Sequence, residues 1–263
     1  MSRFKLTSLQ ILVAIVSIAL WHALTTIPVN GAPILPPFFF STPSDVAQRI
    51  YRWFTGGTVW IHLWITLSES ILAFITGSVA GTLIGFWFAR QPVIADVFDP
   101  YVKMMNALPR VVLAPIFALW LGLGIWSKVA LGVTLVFFIV FFNVYQGVKE
   151  VSPVVLANAR MLGANQKQLL RTVYLPSATS WVFSSLHTSV GLAFVGAVVG
   201  EYLGSARGVG YLILQAEGTF DVNTVFAGIV VLTGCALVLD ACVTVAEKRL
   251  LVWQPRADTP RDT

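Results

Sequence analysis

Ionisable residues that lie within or beside long apolar stretches are the first candidates for chemistry in this sequence. Glu69, Arg110, Glu201 and Asp240 each occupy such a position. A charged side chain is costly inside a lipid bilayer, so one that is kept there is a functional candidate by default. The chemistry open to these four residues is recognition of an ion or a solute along a path through a membrane.

Arg110 and Glu201 are the two candidates for such a path. Arg110 follows Pro109, where a broken helix could face the path and the guanidinium would attract an anionic solute. A snorkelling or carboxylate-paired arginine is an equally good interpretation. Glu201 precedes a glycine-rich run, 204–210, that could form a gate or a re-entrant turn, although capping or pairing with Arg207 is the favoured interpretation.

The remaining polar residues predict no catalytic centre and no metal site. Asp240 and Glu247 share one face of the last apolar helix near Lys248 and Arg249, which favours ion pairing over proton transfer. No Ser-His, HExxH or paired-Asp pattern lies on the apolar stretches, and no GxxxxGK[ST] phosphate loop is present. Packing or interface roles are predicted for the histidines, which lack the carboxylate spacing of a metal site: His22, His62 and His187.

Composition places the chain in a membrane. Of its 263 residues 57% are hydrophobic and only 11% charged, with a mean hydropathy of +0.80, which is more apolar surface than one soluble core could bury. The basic residues are scattered and form no stripe, which argues against nucleic acid as a partner. We predict an all-α polytopic protein with a single transmembrane domain, 1–263, and helices at about 6–27, 63–89, 99–121, 126–148, 177–200 and 222–246.

Two details of these helices are predictable. The third is broken at Pro109 and Pro115, which is tolerable where neighbouring helices cover the break. In the second, Gly77, Gly81 and Gly85 form a stripe of small residues that permits close helix contact. The stripe could serve a dimer interface, but internal packing is the favoured interpretation.

The distribution of basic residues predicts the orientation. With both termini in the cytoplasm, twelve of the seventeen Lys and Arg residues lie in inner segments and four in outer ones, with Arg110 within a crossing. Cytoplasmic loops carry the excess of Lys and Arg, so both termini are predicted to be cytoplasmic. Segment 44–54 has helical spacing of apolar residues and should form an outer amphipathic helix.

The cytoplasmic loop 149–176 is the one long, charged, helix-competent connection. Ser152 and Pro153 can begin a helix that Gly163 ends, a second helix follows over 165–173, and Leu175-Pro176 should break the chain before the next crossing. Two short helices joined at a glycine form a compact surface that another protein could bind. On composition alone, an ordinary loop helix held by lipid headgroups is an equally good interpretation.

The loop resembles the EAA motif of ABC-importer permeases, which has a Glu-Ala-Ala start, a glycine and an Ile-x-Leu-Pro ending. Aligned on Gly163, the start falls on Ala157, Asn158 and Ala159 and the ending on 173–176. Ala157 replaces the Glu of the motif, Asn158 an Ala and Val173 an Ile. The resemblance implies ATPase docking by Ala157, Asn158, Ala159, Arg160, Gly163 and Ala164, and a loop end at Val173, Leu175 and Pro176.

The wider chain resembles the branch of these permeases that imports nitrate, sulfonates and taurine. The matching stretches, in order along the chain, are 41–46, 108–109 with 114–115, 120–124 with 127–128, 143–147 and 208–213. The resemblance implies the non-catalytic subunit of a type I ABC importer for a small anionic solute in the bacterial inner membrane. Expected partners are lipids, a second copy of the chain, an extracytoplasmic solute-binding protein and a cytosolic ATPase dimer that holds ATP and Mg²⁺, with no cofactor in the chain itself.

Two other classes of membrane protein were weighed against this interpretation. A secondary transporter driven by an ion gradient would want paired carboxylates at the membrane midplane and an inverted repeat, and neither is visible in the sequence. An intramembrane enzyme is the weakest alternative, because its catalytic motifs are missing.

Overall fold

The computed structural model describes residues 3–29 and 31–251. Arg256 and Arg261, two of the basic residues counted for the orientation, lie outside the described residues. Apart from one short hairpin the described chain is helical. The hairpin pairs β1 (Pro28–Val29) with β2 (Ala32–Pro33) in antiparallel register, Pro28 opposite Pro33. The helices are α1 Arg3–Thr26, α2 Pro37–Phe40, α3 Pro43–Thr55, α4 Val59–Arg90, α5 Pro92–Ala107, α6 Ala114–Leu121, α7 Ile125–Lys149, α8 Pro153–Met161, α9 Gln166–Leu169, α10 Leu175–Gly204, α11 Val209–Gly218 and α12 Val222–Leu250.

Five helical segments are long and apolar enough to cross a membrane, and a sixth crossing arises if a bent pair is counted as one. The five are Lys5–Thr26, Val59–Arg90, Ile125–Lys149, Gln166–Gly204 and Val222–Leu250. This architecture confirms the all-α polytopic fold.

The bent pair, α5 with the segment 110–121, corresponds to the predicted third helix, but it differs from the prediction in two ways. Its first part begins at Pro92 rather than near 99, and its two parts meet at 83°. The break lies at Leu108, whose ψ of 133° is extended because the residue before a proline avoids the helical region. Pro115 breaks nothing, since it occupies the first turn of α6, where its missing N–H has no partner to lose.

By contacts the described residues form two compact units. The first comprises Met1–Ile65 with Ala206–Gly234, and the second comprises Thr66–Ser205 with Cys235–Thr263. Helices α4 and α12 contribute residues to both units. Most of the candidate functional residues lie in the second unit.

In the second unit, α4 and α10 pack closely against α7 at glycine residues. A β-carbon placed on Gly196 of α10 would lie 2.7 Å from the backbone nitrogen of Gly132 of α7. The predicted stripe of α4 meets the other side: β-carbons on Gly81 and Gly85 would each lie 2.7 Å from a carbonyl oxygen of α7. Internal packing of the stripe is thereby confirmed, because only glycine lets these backbones approach so closely.

In the first unit, the predicted amphipathic helix 44–54 is α3. Thr42 caps it by accepting a hydrogen bond from the backbone N–H of Asp45, and Val46 on its apolar side is buried. Arg49 forms an ion pair of 2.9 Å with Asp221, the residue that precedes α12. The helix is thus joined to the start of α12 by its polar side.

Candidate functional site

The loop between α7 and α10 carries a rigid turn at its centre. Gly163 follows the end of α8 with a φ of +81°, a left-handed conformation that glycine adopts without a steric penalty. The N–H of Gly163 donates to the carbonyl of Arg160 at 2.9 Å, and the N–H of Ala164 to that of Ala159 at 3.0 Å. These two bonds form a Schellman motif, which satisfies the last carbonyls of α8 and fixes the turn.

The end of α8 is the most exposed apolar surface of the loop. Met161 and Leu162 are 79% and 89% exposed, the largest values among the exposed apolar side chains of the loop. Around them the predicted docking residues are mostly accessible: Ala157, Asn158, Arg160 and Gly163 are exposed, whereas Ala159 and Ala164 are half-buried. Exposed apolar side chains beside a fixed turn are typical of a surface that another molecule covers.

After Gly163 the chain differs from the prediction. Asn165 and Gln168 form a capping box that begins α9, but no break occurs at Leu175-Pro176. Instead Leu170–Tyr174 forms a π-helical turn and continues directly into α10, so that one helical segment runs over Gln166–Gly204. A proline removes a helical hydrogen bond, and a π-bulge is one way in which a helix continues across such an irregularity. Val173 therefore lies in the π turn, and Leu175 and Pro176 in the first turn of α10.

The base of the loop is tied to the membrane helices at several points. The guanidinium of Arg90, at the end of α4, lies 5.0 Å from the ring centre of Tyr174. The Ser177 hydroxyl donates a hydrogen bond of 3.2 Å to the carbonyl of Gly147. Trp181 packs on the same glycine, where an added β-carbon would lie 2.7 Å from the β-carbon of Trp181. These contacts attach the base of the loop to α4 and α7.

Arg110, the first candidate for the solute path, lies at the break between α5 and α6. Its guanidinium donates to the backbone and side-chain oxygens of Asn106 and stands 4.6 Å from the ring centre of Phe138. Its Nε is buried and lacks a hydrogen-bond partner within the described residues. The arginine is thus held in place, and its buried Nε–H has no partner among the described residues.

Glu201, the second candidate, lies in a buried group of charges that the sequence did not indicate. It accepts a hydrogen bond of 2.6 Å from the Thr66 hydroxyl, and its carboxyl group meets that of Glu69. Lys128 completes the group and is buried. In the sequence it stands just before an apolar stretch, which is where an ordinary loop lysine would be expected. Arg207, the partner favoured from the sequence, belongs to the other compact unit.

His187 corrects the interpretation of the last helix. Its Nδ1 lies 2.6 Å from Asp240 and its Nε2 3.2 Å from Glu247, so that one ring on α10 joins two carboxylates on α12. Ion pairing of these carboxylates was expected near Lys248 and Arg249, whereas the partner that the structure shows is a histidine from another helix, a contact that spacing along one helix does not reveal. Among the described residues, no three His, Cys, Asp or Glu side chains are arranged so that they could hold a metal ion.

Comparison with known proteins assigns the chain. A family profile described as "Binding-protein-dependent transport system inner membrane component" matches residues 77–252, which include the loop, Arg110, Lys128 and Glu201. The chain belongs to this family. It is therefore a permease subunit of an ABC importer, a non-catalytic protein of the inner membrane, as the EAA-like loop predicted.

Individual relatives support the same assignment for this binding-protein-dependent permease. It is 30% identical to the putative aliphatic sulfonates transport permease protein SsuC of Bacillus subtilis over 93% of this chain and 87% of the relative. It is 26% identical to the taurine transport system permease protein TauC of Escherichia coli over 90% of this chain and 86% of the relative. A solved structure of the MetNI methionine ABC transporter in an inward-facing conformation shares the fold, with a TM-score of 0.61 and 18% identity over 76% of this chain and 99% of that one.

Proposed function

We propose that this permease couples ATP hydrolysis by a separate ATPase to the import of a small anionic solute such as a sulfonate or taurine. The observation that carries the proposal is the exposed end of α8, where Met161 and Leu162 project beside the fixed turn at Gly163. Apolar side chains that are 79% and 89% exposed on a rigid element form a ready contact for a partner. The ATPase would grip this surface.

Coupling in this proposal is mechanical. Closure of the ATPase dimer on ATP and Mg²⁺ would pull the loop, and the contacts of Tyr174 with Arg90 and of Trp181 with Gly147 would pass the displacement to α4 and α7. The continuous helix Gln166–Gly204 supports this route, because the C-terminal part of the loop forms the first turns of a membrane helix. Ala157 lacks the charge of the motif Glu, so docking in this chain would rest on apolar contact with Arg160 at the rim.

The assembly would comprise two copies of the permease, two ATPases and an extracytoplasmic solute-binding protein. The two ATPases would hold all the ATP and Mg²⁺, since no phosphate loop occurs in this chain. We further propose that both termini and the loop face the cytoplasm, as the distribution of Lys and Arg indicates.

Arg110 would attract the solute. It is fixed by Asn106 and Phe138, and its unpaired Nε–H could bind a sulfonate or carboxylate oxygen. The names of the sulfonate and taurine relatives support an anion as the solute class. Replacing Arg110 by Gln should reduce anion uptake more than replacement by Lys, since Lys retains the charge. Equal uptake by both variants and the natural protein would remove Arg110 from the path.

Cross-linking tests the docking surface. The described free cysteines, Cys235 and Cys242, are first replaced by Ala, and Leu162→Cys then offers a single thiol at the end of α8. Treatment of native membranes with a short bifunctional thiol reagent should join the chain to a nucleotide-binding ATPase. Tyr51→Cys on α3, which is 69% exposed, is the matched control and should give no such product. A missing product at Leu162→Cys would contradict docking there.

The same two variants test the orientation. A membrane-impermeant thiol reagent added to intact cells should label Tyr51→Cys and leave Leu162→Cys unlabelled until the membrane is broken. The opposite pattern would place the termini and the loop outside the cytoplasm.

A further inference from the structure

The second unit buries three ionisable side chains from three helices at one place. Glu69 of α4 is 1% exposed, Lys128 of α7 is 2% exposed and Glu201 of α10 is fully buried. Thr66 of α4, also fully buried, faces them. Charged residues are rarely buried to this extent unless they are paired and hydrogen-bonded.

Lys128 connects the segment before α7 to the end of α10. Its ammonium donates to the carbonyl oxygen of Leu123, just before α7, and to that of Gly204, the last residue of α10, at 3.0 Å. Its stem lies on Gly200, where a β-carbon would come within 2.6 Å of Lys128 Cγ. The ammonium is near enough to both carboxyl groups for electrostatic attraction. Lys128 therefore supplies one positive charge to the cluster.

The two carboxyl groups are not equivalent. Glu201 Oε1 accepts the Thr66 hydroxyl at 2.6 Å, and a hydrogen bond from a donor favours the ionised carboxylate. Glu69 meets Glu201, but its Oε2 is buried without a hydrogen-bond partner among the described residues. An ionised oxygen left unpaired in the interior costs more than a neutral carbonyl oxygen in the same place.

The net charge of the cluster depends on whether a proton is bound. With both carboxyl groups ionised, the cluster carries one net negative charge away from water. A buried net charge has a high free-energy cost in a membrane protein. With one proton it is neutral, and two carboxyl groups in contact need such a proton to form a hydrogen bond between them. We propose that the cluster is a proton-binding site, in which the Glu69 carboxylic acid donates to the Glu201 carboxylate and Lys128 balances the remaining charge.

The proton would join α4 to α10. Glu69 and Glu201 link α4 to α10, while Lys128 links the start of α7 to the end of α10. Loss of the proton leaves two carboxylates that repel each other, so alkaline conditions should loosen these helices. The titratable groups that the described contacts place against one another here are Glu69 from α4, Lys128 from α7 and Glu201 from α10. This inference stands independently of the proposed coupling to an ATPase and of the solute.

Infrared spectroscopy on the purified full-length chain detects the proton directly. A protonated carboxyl group has a carbonyl band separate from those of carboxylates and amides. At neutral pH the natural protein should show this band and Glu69→Gln should lose it. Glu150→Gln is the matched control, because Glu150 is exposed and accepts a hydrogen bond only from Gln146 in the described structure, and it should keep the band. A band unchanged by Glu69→Gln would overturn the proposal.

Stability in detergent provides a second, independent test. Glu69→Gln keeps a hydrogen-bond donor without a titratable proton, so it should fold, match the natural protein at neutral pH and lose the decline at alkaline pH. Glu201→Gln replaces the ionised acceptor of the Thr66 hydroxyl and of the Glu69 proton by a neutral amide, so its melting temperature should fall below that of Glu69→Gln. A Glu69→Gln variant that is as unstable as Glu201→Gln, or that fails to fold, would show that Glu69 is needed as an ionised group.

Discussion

The crossing of α7 and α10 makes a quantitative prediction at Gly196. A β-carbon at this position would lie 2.7 Å from the backbone nitrogen of Gly132, and backbone cannot rotate away as a side chain can. Gly196→Ala should therefore force the two helices apart. Overpacking of a well-packed interior typically costs about 1–3 kcal/mol, and the upper part of this range is expected where the obstacle is backbone.

Gly191 provides the matched control on the same helix. It is exposed, and a β-carbon there would meet no atom within 4 Å. Gly191→Ala should raise the free energy of unfolding by roughly 0.5–1 kcal/mol, because alanine loses less backbone entropy in a helix. Gly196→Ala gains the same term, so the difference between the two variants isolates the cost of overpacking. A difference of about 2 kcal/mol corresponds to roughly a thirtyfold change in the folded-to-unfolded ratio.

The assay is reversible unfolding of the purified chain in mixed detergent micelles, followed by far-ultraviolet circular dichroism. Gly191→Ala should unfold later than the natural protein and Gly196→Ala clearly earlier than Gly191→Ala. Equal unfolding of the two alanine variants would refute the close approach of α7 and α10, because the packing cost would then be absent.

Three further substitutions have predictable effects. Asn165→Ala removes the capping box of α9 and should cost about 1 kcal/mol locally, which is read from faster amide exchange over 165–170, with unchanged exchange as the contrary result. His187→Leu leaves Asp240 and Glu247 without their shared partner and should cost about 1–3 kcal/mol in the unfolding assay, with His187→Gln intermediate; no loss would remove the link between α10 and α12. Arg49→Ala should cost less than about 1 kcal/mol despite its ion pair of 2.9 Å, since the pair is about one-third exposed, and a larger loss would show that α3 depends on it.

The long helices and the tight turn of the loop were predictable because their signals are local. Uninterrupted apolar stretches place α4, α7, α10 and α12 to within a few residues, and Gly163 marks the end of α8 because only glycine adopts its turn without a steric penalty. The glycine stripe of α4 was predictable for a similar reason, since spacing by four residues defines one helix face.

The charge cluster and the bend of the third crossing could not be predicted in the same way. Lys128, Glu69 and Glu201 are separated by more than fifty residues from one another, and only the packing of three helices brings them together. The sequence showed that Pro109 interrupts a helix but not the angle of 83°, which the surrounding helices determine. The continuity of α10 through Pro176 depends likewise on a π turn that has no sequence signature of its own.

We propose that this permease imports its solute by coupling to an ATPase through the loop around Gly163. The most direct test is uptake of labelled taurine or an alkanesulfonate by proteoliposomes that contain the chain with its co-purifying ATPase and solute-binding protein. We expect uptake that requires ATP and is lost in Gly163→Leu, whose purified chain remains folded by circular dichroism. Uptake driven by an ion gradient without ATP, or unchanged ATP-dependent uptake by Gly163→Leu, would contradict ATP-driven import through this loop.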